Sequence, residues 1–80
     1  MNTGADQITA YLLFGTDVGH EKETAERLKS VANVTDVYLV YGEYDVLAEI
    51  RCADLKSLDS TISMTKKIKG IVRTMPLIVG

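Results

Sequence analysis

The segment Tyr41-Gly42-Glu43-Tyr44-Asp45 brings two carboxylates, two phenol rings and a glycine together within five residues. A turn at Gly42 leaves backbone N–H groups at its tip, and such groups can donate to a carboxylate. Asp45 can accept from an ammonium, and the rings of Tyr41 and Tyr44 can cover a side chain. Those are the demands of a free α-amino acid. A tight turn explains Gly42 but does not require an aspartate flanked by aromatic residues. A plain turn carrying an edge charge is the alternative that these residues leave open.

Other reactive side chains point to less. His20 is the single imidazole and stands beside Glu21 in a loop or first helical turn, without an orienting partner or nucleophile nearby in sequence. Cys52, the single thiol, closes an apolar alternation and is expected to be a small buried hydrophobe. One cysteine and one histidine cannot form a disulfide or a multi-ligand Cys/His metal site. Asp17, Glu21 and Glu23 lack the calcium-loop spacing. Lys66, Lys67 and Lys69 gather where a helix C-terminus favours cations, so they call for no nucleic-acid partner. There is no phosphate-binding glycine loop. No catalytic residue, metal or cofactor is expected, and the chain is read as a non-enzyme.

Composition narrows the class further. Eighty residues with 46% hydrophobic and 25% charged side chains make one small globular domain, spanning residues 1–80. A core this small is marginal alone and gains from a partner subunit. The formal net charge of −2 argues against a nucleic-acid-binding surface. There is no apolar run of membrane-spanning length and no signal-peptide pattern, and with a lone reduced cysteine a cytoplasmic location is expected.

The elements that must position the tip follow from periodicity. Residues 1–6 are small and polar and are expected to fray. Gln7 to Phe14 alternates as a strand, Gly15 to Gly19 forms a loop, and a helix follows with Val18, Ala25, Leu28 and Ala32 on its apolar stripe. Val34–Tyr41 and Tyr44–Cys52 read as two strands joined by a two-residue type II′ turn at Gly42-Glu43. That turn pairs Tyr41 with Tyr44, Leu39 with Val46 and Val37 with Ala48 on one face. It pairs Val40 with Asp45, Tyr38 with Leu47 and Asp36 with Glu49 on the other. Asp54 caps a second helix with Leu55, Leu58, Ile62 and Thr65 on its stripe, and Gly70 stops it. The last strand runs from Ile71 to about Val79, with Pro76 requiring a sheet edge.

The order β-α-β-β-α-β predicts an α+β, ferredoxin-like sandwich: a four-stranded antiparallel sheet in order 4-1-3-2 with both helices on one face. Ile8, Leu12, Phe14, Val37, Leu39, Val46, Ala48, Ile50 and Cys52 suit the helix side, joined by Met75, Leu77 and Val79. The other face should be polar if it meets water, yet Tyr11, Leu13, Tyr38, Val40, Leu47, Val72 and Ile78 are assigned to it. Thr9, Asp36, Asp45, Glu49, Arg51 and Thr74 form its margin. An apolar centre with a charged rim predicts a two-fold dimer packed sheet to sheet.

Val34-x-x-Val37 leading into Tyr41-Gly42-Glu43-Tyr44-Asp45-Val46-Leu47 resembles the effector domain of the Lrp/AsnC transcription regulators, the "regulation of amino acid metabolism" module. Gly42, Tyr44 and Asp45 match its Gly-x-Tyr-Asp turn, and the passage from Gly70 into Ile71-Val72-Arg73-Thr74 resembles the family's final helix-to-strand step. The resemblance spans roughly residues 8–79. It implies the ferredoxin-like fold, dimers joined through their sheets, rings of dimers that are commonly octamers, and an amino acid or related effector held between dimers. Carried over, it implies effector contacts at Gly42, Tyr44 and Asp45, with Tyr41 and Glu43 as neighbours and Thr74 reaching across the interface. Full-length members carry a helix-turn-helix domain first. About six residues precede the first strand here, so direct DNA binding is not expected, and a partnership with full-length regulators is. Two alternatives stand beside this: a small dimeric α+β-barrel enzyme using Asp36, Glu49 and Arg51, and a structural oligomerisation unit without ligand.

Overall fold

The computed structural model describes residues 7–79, so the fraying expected of residues 1–6 lies outside the described part. The elements run β1 (Ile8–Thr16), α1 (Glu21–Leu28), β2 (Val34–Leu39), β3 (Val46–Cys52), α2 (Leu55–Lys66) and β4 (Ile71–Ile78). All pairings are antiparallel and the sheet order is β2-β3-β1-β4, the expected order counted from the opposite edge. The core lies on the helix side. Leu12 and Phe14 of β1 and Val46, Ala48 and Ile50 of β3 pack with Leu28 of α1 and Leu58 of α2, all fully buried or nearly so. Cys52 belongs to this core, its Sγ 3.8 Å from Thr61 Oγ1.

The helices start differently. Asp54 accepts from Ser57 N at 2.7 Å, as its place before α2 predicts, and that bond holds its carboxyl below the ordinary carboxylate value. At α1 the residue before the helix, His20, makes no side-chain cap; the Glu21 carboxylate reaches back instead to accept from Gly19 N at 2.7 Å. The apolar stripes are shorter than the sequence suggested. Val18 lies in the preceding turn and is 96% exposed, and Ala32 and Leu55 also face outward. Each sits outside the regular turns of its helix or at the first residue, where the 3.6-residue period no longer fixes direction.

The expected register of β2 on β3 is present from Asp36↔Glu49 to Leu39↔Val46. The faces of β4 are not as expected. Leu13 pairs with Met75 and Tyr11 with Leu77, which puts Met75 and Leu77 on the open face. Ile78 pairs with Ala10 and Thr74 with Phe14, which puts Ile78 and Thr74 in line with the helix side. A register shift between Gly15 and Thr16 is the cause: Gly15 faces Arg73 while Thr16 faces Ile71, and Val72 is the extra residue. A bulge exchanges the two faces of everything beyond it. Ile71 consequently packs on the core while Met75 and Leu77, counted inward from the same end, do not. β4 is a sheet edge, as Pro76 requires.

Candidate functional site

The ladder between β2 and β3 ends at Leu39↔Val46, and one further bond, Val40 N to Asp45 O at 2.9 Å, closes the base of a tip made by residues 40–45. The two-residue type II′ turn, with Tyr41 opposite Tyr44, does not form. Gly42 does take a left-handed φ of +121°, so glycine is required there. The tip is wide because its ends are drawn to other strands.

Asp45 is drawn to the end of β1. Its N–H donates to Phe14 O at 2.9 Å, and its Oδ2 accepts from Thr16 N at 2.8 Å with Thr16 Oγ1 at 3.4 Å. Tyr44 is drawn to β4. The Arg73 guanidinium carbon stands 4.9 Å from the Tyr44 ring centroid, and Tyr44 OH lies 3.8 Å from Met75 Sδ. Arg73 Nη2 also donates to Glu43 O at 2.6 Å. Gly15 lies under this arm, where a Cβ would come within 2.9 Å of Arg73 Nε.

The resulting surface has unused hydrogen-bonding capacity. Among the described residues, the N–H groups of Tyr41, Gly42, Glu43 and Tyr44 meet no protein acceptor, and Asp45 Oδ1 meets no donor. Tyr41 is 98% exposed. Tyr41 and Asp45 line a groove of about 240 Å³ together with Glu21, Lys22, Leu39 and Val40. That groove offers an ammonium, carboxylates and an apolar wall. Thr74 is not part of it; it lines a separate groove of about 310 Å³ with Lys66, Ile71, Val72 and Arg73.

The six residues proposed from sequence are thus divided by the fold. Tyr41 and Asp45 share the α1-side groove, Gly42 and Glu43 form the tip, Tyr44 turns to β4, and Thr74 stands apart within the protomer. Sequence reasoning missed Gly15, Thr16, Lys22 and Arg73. The usable signal for Arg73 was a lone arginine inside an apolar edge strand. Lys22 gave no signal, being one of several charges on a solvated helix.

On the open face, the rows Tyr38–Leu47–Leu13–Met75 and Asp36–Glu49–Tyr11–Leu77 run across all four strands. Val40, expected on this face, lies beyond the end of the ladder and lines the groove beside Glu21 and Lys22. Tyr38, Met75 and Leu77 remain 42–50% exposed. The charged groups at the margin engage one another: Glu49 Oε2 accepts from Arg51 Nε at 2.9 Å and from Thr35 Oγ1 at 3.2 Å. His20 is exposed, in a small groove of about 110 Å³ with Asp17, Glu23 and Arg27. No helix of the described residues is long and apolar enough to cross a membrane.

The model of the Lrp/AsnC ligand binding domain matches residues 9–79. The chain belongs to the Lrp/AsnC family. It is 29% identical over 72 residues to the HTH-type transcriptional regulator FL11 of Pyrococcus furiosus, covering 90% of this chain and 48% of that protein. It is 30% identical over 74 residues to an uncharacterized HTH-type transcriptional regulator of the same organism, covering 88% of this chain and 49% of the relative. The chain therefore spans about half the length of the curated relatives it matches. Among solved structures it resembles hypothetical protein PHS023 from Pyrococcus horikoshii at 35% identity and a TM-score of 0.85, covering 91% of this chain and 89% of that one. FFRP-DM1 gives the same identity and score and is covered over 99% of its length. AsnC of E. coli shares the fold at a TM-score of 0.83 and 23% identity, over 95% of this chain and 52% of that one. The ferredoxin-like sandwich is the fold of AsnC-family neighbours.

Proposed function

We propose that this Lrp/AsnC domain is a non-enzymatic, amino-acid-sensing oligomerisation module. One observation carries the reading: among the described residues, the backbone N–H groups of 41–44 meet no acceptor while Thr16 fixes Asp45 by a single carboxylate oxygen. Donors for a carboxylate and an acceptor for an ammonium are thereby held ready on one loop. A related-fold regulator from Neisseria meningitidis was solved as a complex with L-Met, which supports a small zwitterion as the ligand class.

In this reading two copies pack through the open face, with Tyr11, Leu13, Tyr38, Leu47, Met75 and Leu77 at its centre and the Glu49–Arg51 pair at its rim. The dimers assemble into a ring, for which an octamer is the expected size, and the effector sits between dimers against Tyr41, Gly42, Glu43, Tyr44 and Asp45. Thr74, on another surface of the protomer, contributes only across such a contact. Two solved chains consist almost wholly of this domain, which supports action as a module; in this reading it works in the cytoplasm by co-assembling with full-length regulators and altering their oligomeric state. The enzyme alternative has little support, since Glu49 and Arg51 satisfy each other.

Native mass spectrometry of the chain, with and without a mixture of the twenty amino acids, tests this reading. The expected result is a ring of dimers that retains, or is shifted by, particular amino acids. A plain dimer indifferent to all of them rejects the sensing role and favours a structural unit.

A further inference from the structure

Arg73 stands on the edge strand β4, yet its contacts are with the tip between β2 and β3, near the far side of the sheet. Three observations hold it there. Its Nη2 donates to Glu43 O at 2.6 Å, and its guanidinium covers the Tyr44 ring at 4.9 Å. It crosses Gly15 at a point where even a methyl group would meet Nε at 2.9 Å. Tyr44 OH at 3.8 Å from Met75 Sδ adds a second tie to the same strand. Asp45 is tied separately to β1 through Phe14 and Thr16, so the ties from β4 are what hold Glu43 and Tyr44 away from the two-residue turn that a glycine-led sequence of this kind otherwise favours.

We propose that Arg73 is the positioning residue of the tip: it holds residues 40–45 open over the end of β1 and joins their shape to the open face of β4. This rests on the reading of the tip as the ligand loop. Arg73 faces Gly15 and belongs, with Met75, to the face that is free of helices. A ligand that pulls on Glu43 or Tyr44 therefore pulls on that face, and whatever packs on the face bears on the ligand loop. The planar guanidinium is required, because one flat group must both stack on a ring and aim a donor at a carbonyl. An ammonium can do one or the other.

The test is amide hydrogen exchange on the full chain without ligand, comparing wild type with Arg73→Ala, Arg73→Lys and Gly15→Ala. Three amides report on the tip: Val40 N bonded to Asp45 O, Asp45 N bonded to Phe14 O, and Thr16 N bonded to Asp45 Oδ2. Arg51 N, bonded to Asn33 O at 3.0 Å at the other end of the sheet, is the control. Losing a bond from a charged donor together with a stacked cation predicts about tenfold faster exchange at the three tip amides. Arg51 should stay within about twofold if the opening is local. Gly15→Ala, which displaces the arginine without removing its charge, should reproduce the effect, and Arg73→Lys should not rescue it. Unchanged tip exchange in Arg73→Ala, equal acceleration at Arg51, or full rescue by lysine would each overturn the proposal. These readings need no ligand. If the wild type retains no amino acid in the mass spectrometer, the sensing role fails and the positioning role is still decided here.

Discussion

Two turns of this domain are built on a left-handed glycine, and they use it in opposite ways. Gly70, at φ +103°, ends the passage from α2 to β4, and the two carbonyls beside it are tied to other elements. Its carbonyl accepts from Asp17 N at 2.9 Å, and the neighbouring Lys69 carbonyl accepts from Arg27 at 3.2 Å. A Cβ on Gly70 would stand 2.7 Å from Thr24 Oγ1, a buried hydroxyl oxygen with no N–H or O–H partner among the described residues. Gly42, at φ +121°, has nothing among the described residues within 4 Å of the same position, and the N–H groups of 41–44 meet no acceptor among them. The first turn is tied to β1 and α1 through its carbonyls and is packed against Thr24; the second stands clear of other elements at its glycine, as a surface awaiting a ligand requires.

The sharpest way to break this comparison is to put alanine at both glycines. Gly70→Ala meets backbone strain and a buried oxygen together, and should cost about 3 kcal/mol in urea unfolding. Gly42→Ala meets strain alone on a loop free to adjust, and should cost about 1 kcal/mol while weakening any amino-acid retention. Equal costs would show that the two turns are held alike. Asp45→Ala falls between them. It leaves the part-buried Thr16 N–H without its acceptor, for about 1–2 kcal/mol, and removes the carboxylate proposed to meet an ammonium. Its stability loss is read by denaturation and its functional loss by native mass spectrometry, so the two roles of the one residue separate.

The Gly70 turn was more legible in the sequence than the Gly42 tip, for a physical reason. Gly70 is specified locally, by the end of a helix and the start of a strand, and local punctuation can be read along the chain. The strand order was legible in the same way, from element order and the handedness of crossovers. The tip is specified by residues far off in sequence: Thr16 pulls on Asp45, and Arg73 on Glu43 and Tyr44. Its type II′ expectation used only the glycine between two strands, and that local rule lost to tertiary contacts. The faces of β4 failed for a related reason. A bulge at Gly15/Thr16 inverts alternation, and nothing in the pattern Ile71-Val72-Arg73-Thr74-Met75 marks which residue is the extra one.

Asp54 supplies the smallest expected effect and a control for Asp45, since both carboxylates accept a backbone N–H, at 2.7 Å from Ser57 and at 2.8 Å from Thr16. Asp54 acts only on the start of α2 and is fully exposed, so its loss should touch neither the tip nor ligand retention. Its effect should instead depend on pH. The Ser57 hydrogen bond lowers its pKa in the folded chain from the ordinary 3.8. A carboxyl whose folded pKa lies below its unfolded one binds fewer protons in the folded state. The stability it contributes is complete above the ordinary value and is lost as pH falls through the folded one. Asp54→Asn keeps an oxygen for Ser57 N but cannot titrate. The stability difference between wild type and Asp54→Asn should therefore be largest near neutrality and shrink between about pH 5 and pH 2. Other carboxylates cancel in that difference. A constant offset across the range would mean that Asp54 contributes geometry alone, and a variant that disturbed exchange at Thr16 or Asp45 would show that the tip and α2 are not separate units.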